Sequence, residues 1–97
     1  MILHTLNAAP GSTAFSDCTR LLSSDDALLL MGDGVYAALA GTAAHKDLSN
    51  TGASLYLLEA DAAAAGILSQ TADNVCPVDF DAFVRLTEQF AKQQAWY

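Results

Sequence analysis

The run Ala27-Leu28-Leu29-Leu30-Met31, followed at once by Gly32-Asp33-Gly34, constrains this chain more than any other stretch. An unbroken apolar run of this length, bounded by turn-forming residues, predicts a strand buried on both faces. Both faces of a strand are covered only when helices pack above and below its sheet, which points to a parallel sheet in an α/β layer fold. The Gly-Asp-Gly turn would then lie at the carboxyl end of a central strand, where open α/β sheets place their ligands.

The flanking segments extend this unit. Ile2 to Leu6 is a short β-prone run and predicts the first strand. Asn7-Ala8-Ala9-Pro10-Gly11 is a loop, because Pro-Gly is a strong turn signal. Ser12 or Thr13 can cap a helix whose apolar face is Ala14, Phe15, Cys18, Leu21 and Leu22. Ser23-Ser24-Asp25-Asp26 ends that helix, with the two aspartates read as solvated caps. Gly41 is expected to stop a short helix after Leu39, and the polar stretch from Thr42 to Gly52 has no clear pattern. Ser54 to Leu58 predicts a strand, Glu59 to Ala65 an alanine-rich helix with Gly66 at its end. Val75 to Val78 predicts a short strand, placed at an edge or strand end by Pro77, which has no amide to donate. Asp79 or Asp81 caps a last helix whose inner face is Phe80, Phe83, Val84, Leu86, Thr87 and Phe90. The tail Gln93-Gln94-Ala95-Trp96-Tyr97 is polar, then aromatic, and its end Trp96-Tyr97 reads as either frayed or docked, with a partner subunit as one expected docking surface. Strands alternating with helices give the class α/β.

The bulk numbers narrow the function classes. A chain of 97 residues is expected to form a single domain over 1–97. Hydrophobic residues make up 53% and charged ones 15%, an apolar surplus that a subunit interface would absorb. No apolar run approaches the roughly 18 residues of a membrane span, and Met1-Ile2-Leu3-His4 has no leader-like pattern, so the expected location is cytoplasmic. With a net charge of −7 and only Arg20, Lys46, Arg85 and Lys92 as cations, direct binding to nucleic acid is not expected. An acidic surface suits a basic protein partner.

Few residues offer chemistry. Gly32-Asp33-Gly34-Val35-Tyr36-Ala37 fits the dinucleotide pattern in form, with Glu59 placed as a ribose-binding acid. However, it follows the second strand, puts Asp33 where pyrophosphate would lie and leaves little room for a second nucleotide-binding half. A tight turn with close helix packing is the simpler reading. Cys18 and Cys76 are far apart and read as free thiols, with neither a disulfide nor a metal site implied. If the helix begins near Ser12, Cys18 lies on the Phe15/Leu22 face as a small core residue. If it begins at Ser16, Cys18 falls in the first turn, where amide dipoles favour a thiolate. Cys76, inside a strand, reads as structural. His4 reads as a hydrogen-bonded core histidine, and His45 has no second ligand at metal spacing.

Leu3-His4-Thr5-Leu6, Leu29-Leu30-Met31 running into Asp33-Gly34-Val35-Tyr36-Ala37-Ala38, Val78-Asp79-Phe80-Asp81-Ala82-Phe83-Val84-Arg85-Leu86-Thr87 and the closing Ala95-Trp96 together resemble the TusB/DsrH family, end to end. The resemblance implies a three-layer α/β/α sandwich with a small, mainly parallel five-stranded sheet, the DsrE/F/H-like domain. It implies a heterohexamer with TusC-like and TusD-like subunits, two copies of each, that relays persulfide sulfur between carrier proteins toward 2-thiolation of the tRNA wobble uridine, or serves sulfur oxidation in DsrH-like relatives. It also implies that the main sulfur-accepting cysteine is on the TusD-like partner, that no cofactor or metal is needed, and that this chain is mainly structural. Cys18 matches a position where DsrH-like members carry a cysteine, which keeps it as the candidate persulfide carrier of this chain.

Overall fold

The computed structural model describes residues 1–97. Its strands are β1 (Ile2–Leu6), β2 (Ala27–Leu30), β3 (Ser54–Leu58), β4 (Val75–Val78) and β5 (Lys92–Trp96), and its helices α1 (Thr13–Leu21), α2 (Ala43–Ser49), α3 (Glu59–Ala64) and α4 (Phe80–Gln89). The sheet order is β4-β3-β2-β1-β5 and every neighbouring pair is parallel. The steps from β1 to β4 all move one way across the sheet, so right-handed crossovers put α1, α2 and α3 on one face. The return from β4 to β5 moves the other way and puts α4 on the opposite face. The packing agrees. Phe15, Cys18, Leu48 and Ala62 join one core cluster, while Leu86 of α4 joins Leu3, Ala27, Leu29 and Val78 in the other. The result is the three-layer α/β/α sandwich expected, with a sheet that is parallel throughout.

β2 holds the layers together. Leu28 and Leu30 point into the first cluster and Leu29 into the second, and all three are fully buried. Each such leucine is worth about 2 kcal/mol of apolar burial. The predicted caps form: Ser12 Oγ accepts from the Phe15 amide at 3.1 Å and Asp79 Oδ1 from the Ala82 amide at 2.7 Å. Gly66, at φ +75, follows α3 in the left-handed conformation that ends helices at low cost for glycine. β4 is an edge strand, so Pro77 removes no interior ladder bond.

Several local expectations change, and Leu21, Phe80 and Val84, expected on inner helix faces, are exposed. The tail is not frayed: Lys92–Trp96 forms β5, in register beside β1 from Ile2↔Lys92 to Leu6↔Trp96, and Tyr97 stands exposed past its end. The patternless stretch holds α2, whose N-cap Thr42 accepts from the His45 amide. After β2 the chain forms a 3-10 helix over Gly32–Ala38 that already ends at Leu39, before Gly41. No helix is long and apolar enough to cross a membrane.

Candidate functional site

The two ends of the chain meet in a buried polar chain. His4, on β1, is flanked by β2 and β5. Its Nε2 lies 3.0 Å from Asp26 Oδ2, and the Trp96 Nε1–H donates to its Nδ1 at 3.1 Å. The indole can only donate, so Nδ1 is an acceptor and Nε2 carries the hydrogen that Asp26 accepts. The two rings are stacked with centroids 6.3 Å apart. Asp26 also accepts from the Ile2 amide at 2.9 Å and the Ser23 amide at 3.1 Å. Burial alone would raise its carboxyl. The bonds from His4, Ser23 and Ile2 outweigh this and hold it at about 2. Asp26 is therefore not the solvated cap expected of it but a buried clasp, 5% exposed, closing the α1–β2 loop onto β1. His4 is the hydrogen-bonded core histidine expected. His45 bonds Asn74 and Ser49 and ties α2 to the loop before β4.

The glycine turn has a structural explanation. Gly32 adopts φ +53, and its amide donates to Asp61 Oδ2 at 2.8 Å. A Cβ on Gly34 would lie 2.4 Å from the Leu6 carbonyl oxygen, so glycine is required for the turn to pack on the end of β1. A carboxylate thus takes the amide that a pyrophosphate would use, against the dinucleotide pattern. Beside the turn lies an open cavity of about 260 Å3, lined by Gly32, Asp33, Tyr36, Asp61, Ala64 and Ala65. No three His, Cys, Asp or Glu side chains gather as a metal-binding group.

The cysteines separate clearly. Since α1 starts at Thr13, Cys18 lies in its second turn, fully buried among Phe15 and Leu22, and burial pushes its thiol up to about 12. A thiol there is a poor source of thiolate. Cys76, expected as structural, is exposed on β4. We expect a thiol-reactive disulfide reagent at neutral pH to modify Cys76 at once and Cys18 at least about 100-fold more slowly, because labelling Cys18 requires the core to open. Mass spectrometry of each peptide reads the two rates. Similar rates would contradict a closed core.

These features define a small, all-parallel α/β/α sandwich with strand order β4-β3-β2-β1-β5. The fold is similar to that of the ychN protein from E. coli, with a TM-score of 0.70 at 21% identity over 97% of both chains. It is also similar to Tm0979 from Thermotoga maritima, with a TM-score of 0.69 at 21% identity over 92% of this chain and 93% of that one. Residues 9–93 match the family described as DsrH like protein. The chain is 41% identical over 95 residues to Protein TusB of Shigella dysenteriae serotype 1 (strain Sd197), covering 98% of this chain and all of that one. Protein TusB of Escherichia coli O139:H28 matches at the same identity and coverage. The chain belongs to the DsrH-like, TusB/DsrH family.

Proposed function

We propose that this chain is a TusB-like subunit of a sulfur-relay complex that passes persulfide sulfur toward 2-thiolation of the tRNA wobble uridine. The observation that carries this reading is the 41% identity to proteins named TusB over nearly the whole chain. In it, residues 1–97 act as one domain in the cytoplasm, bound to TusC-like and TusD-like subunits in a heterohexamer. Sulfur-carrier proteins are met through the complex, and the chain makes no direct contact with RNA.

The role is mainly structural. Persulfide transfer needs an accessible thiolate to attack the outer sulfur of a neighbouring persulfide. The burial of Cys18 and its raised pKa support a packing residue in that position. The competing reading, a DsrH-like carrier in sulfur oxidation that uses Cys18, requires that side chain to become exposed. The charge of −7 supports a subunit that leaves tRNA to others.

Loss of the chain tests the relay role. Deleting its gene is expected to lower 2-thiouridine in bulk tRNA, with Cys18→Ala restoring it as well as the wild type. Unchanged thiolation in the deletion strain would refute the tRNA pathway, and failure of Cys18→Ala alone would favour the carrier reading.

A further inference from the structure

We propose that the cavity beside the Gly32–Gly34 turn receives an arginine or lysine side chain from the basic face of a protein partner. This deepens the subunit reading above, on which the choice of a protein as occupant rests. In an all-parallel sheet every strand ends at one rim. Asp33, Glu59, Asp61, Asp79 and Asp81 all fall within the few residues that follow β2, β3 and β4. The four cations lie elsewhere: Arg20 at the end of α1, Lys46 on α2, Arg85 on α4 and Lys92 at the start of β5.

Some of that acidity has a local cause. Asp79 caps α4 and Asp61 holds the Gly32 amide. Asp33 has no comparable bond within the chain. It is exposed, and the chain's one ion pair between fixed charges is Arg20–Asp17, with His4 engaged by Asp26 through a hydrogen bond. Beside it stands the Tyr36 ring, 40% exposed, with Ala64 and Ala65 as the apolar walls. The parts match one long cationic side chain. Its aliphatic stem would lie on the two alanines, its head against the ring face and its donors on Asp33 and the second Asp61 oxygen. At about 260 Å3 the cavity falls below the roughly 300–1,000 Å3 typical of small-molecule sites, which favours a single side chain over a cofactor. The same rim carries the exposed aromatics Phe80, at 67%, and Tyr97, at 86%, and aromatic residues are enriched where protein surfaces dock.

Two measurements test this. In the first, the isotope-labelled chain is titrated with a hexa-arginine peptide and followed by amide NMR. Shifts should concentrate at Gly32, Asp33, Tyr36 and Ala64, and Asp33→Asn should weaken binding by a factor of five or more. Shifts spread evenly over Asp25, Asp47 and Glu88, or equal binding by Asp33→Asn, would overturn the proposal and leave Asp33 a simple charge at a helix start. In the second, wild type, Asp33→Lys and the control Asp47→Lys are co-expressed with the TusC-like and TusD-like subunits. Asp33→Lys should enter the complex at least tenfold less than the control, and equal entry would overturn a partner on this rim. If even the wild type forms no complex, the subunit reading fails and the peptide titration still decides whether the cavity takes a basic side chain.

Discussion

Asp26→Ala is expected to cost about 3–5 kcal/mol of stability, the range for removing one partner from a buried charged network. The change would strand His4 Nε2–H and the amides of Ile2 and Ser23, all of which now donate to this carboxylate. For a domain whose total stability is of order 5–15 kcal/mol, that is a large fraction. Trp96 is the only tryptophan and bonds His4 directly, so its fluorescence during urea unfolding reports the loss. The same residue gives a pH signature. Folding lowers the Asp26 carboxyl from 3.8 to about 2, so its bonds stabilise the fold above the higher value and are lost as pH falls through the lower one. The wild type should lose roughly 2 kcal/mol from this group between about pH 4 and pH 2, and Asp26→Asn should lack that component. Parallel pH profiles for the two proteins would show that the clasp does not form.

The second large effect is expected from Gly34→Ala. The new methyl would meet the Leu6 carbonyl oxygen at 2.4 Å and its carbon at 3.1 Å, and both are backbone atoms. They cannot yield easily, because that oxygen already accepts the Met31 amide at 3.0 Å in the continuation of the β1–β2 pairing. Overpacking of this kind typically costs about 1–3 kcal/mol, and backbone contact places this site at about 3. In a domain of this size that corresponds to a melting temperature lower by roughly 10–20 °C. Calorimetry measures it. An unchanged melting temperature would mean that the turn does not rest on the end of β1.

What could be read from the sequence was what has a local signature. Leu28, Leu29 and Leu30 announce a strand covered on both faces, and Ser12 and Asp79 announce helix starts, because capping is decided within three residues. β5 has no such signature. Gln93, Gln94 and Ala95 are exposed at a sheet edge, where neither face demands apolar residues, so only the family resemblance implied a fifth strand. Asp26 lacks a local signature for a related reason. Its burial depends on His4 and on the amino-terminal strand, 22 and 24 residues away, not on its neighbours. The Trp96–His4 bond spans 92 residues. At Cys18 the sequence left two helix starts open, and the Ser12 cap decided between them by placing the thiol in the second turn, on the core side. The cavity needed the fold itself, since Asp33 and Asp61 come from segments following different strands.

As proposed above, this chain supports a sulfur relay without carrying the sulfur. Native mass spectrometry of the chain assembled with TusC-like and TusD-like subunits, after exposure to a persulfide donor, tests this division of roles. The expected result is a heterohexamer in which added sulfur sits on the TusD-like subunit and this chain keeps its unmodified mass. Added sulfur on this chain, lost in Cys18→Ser, would contradict it.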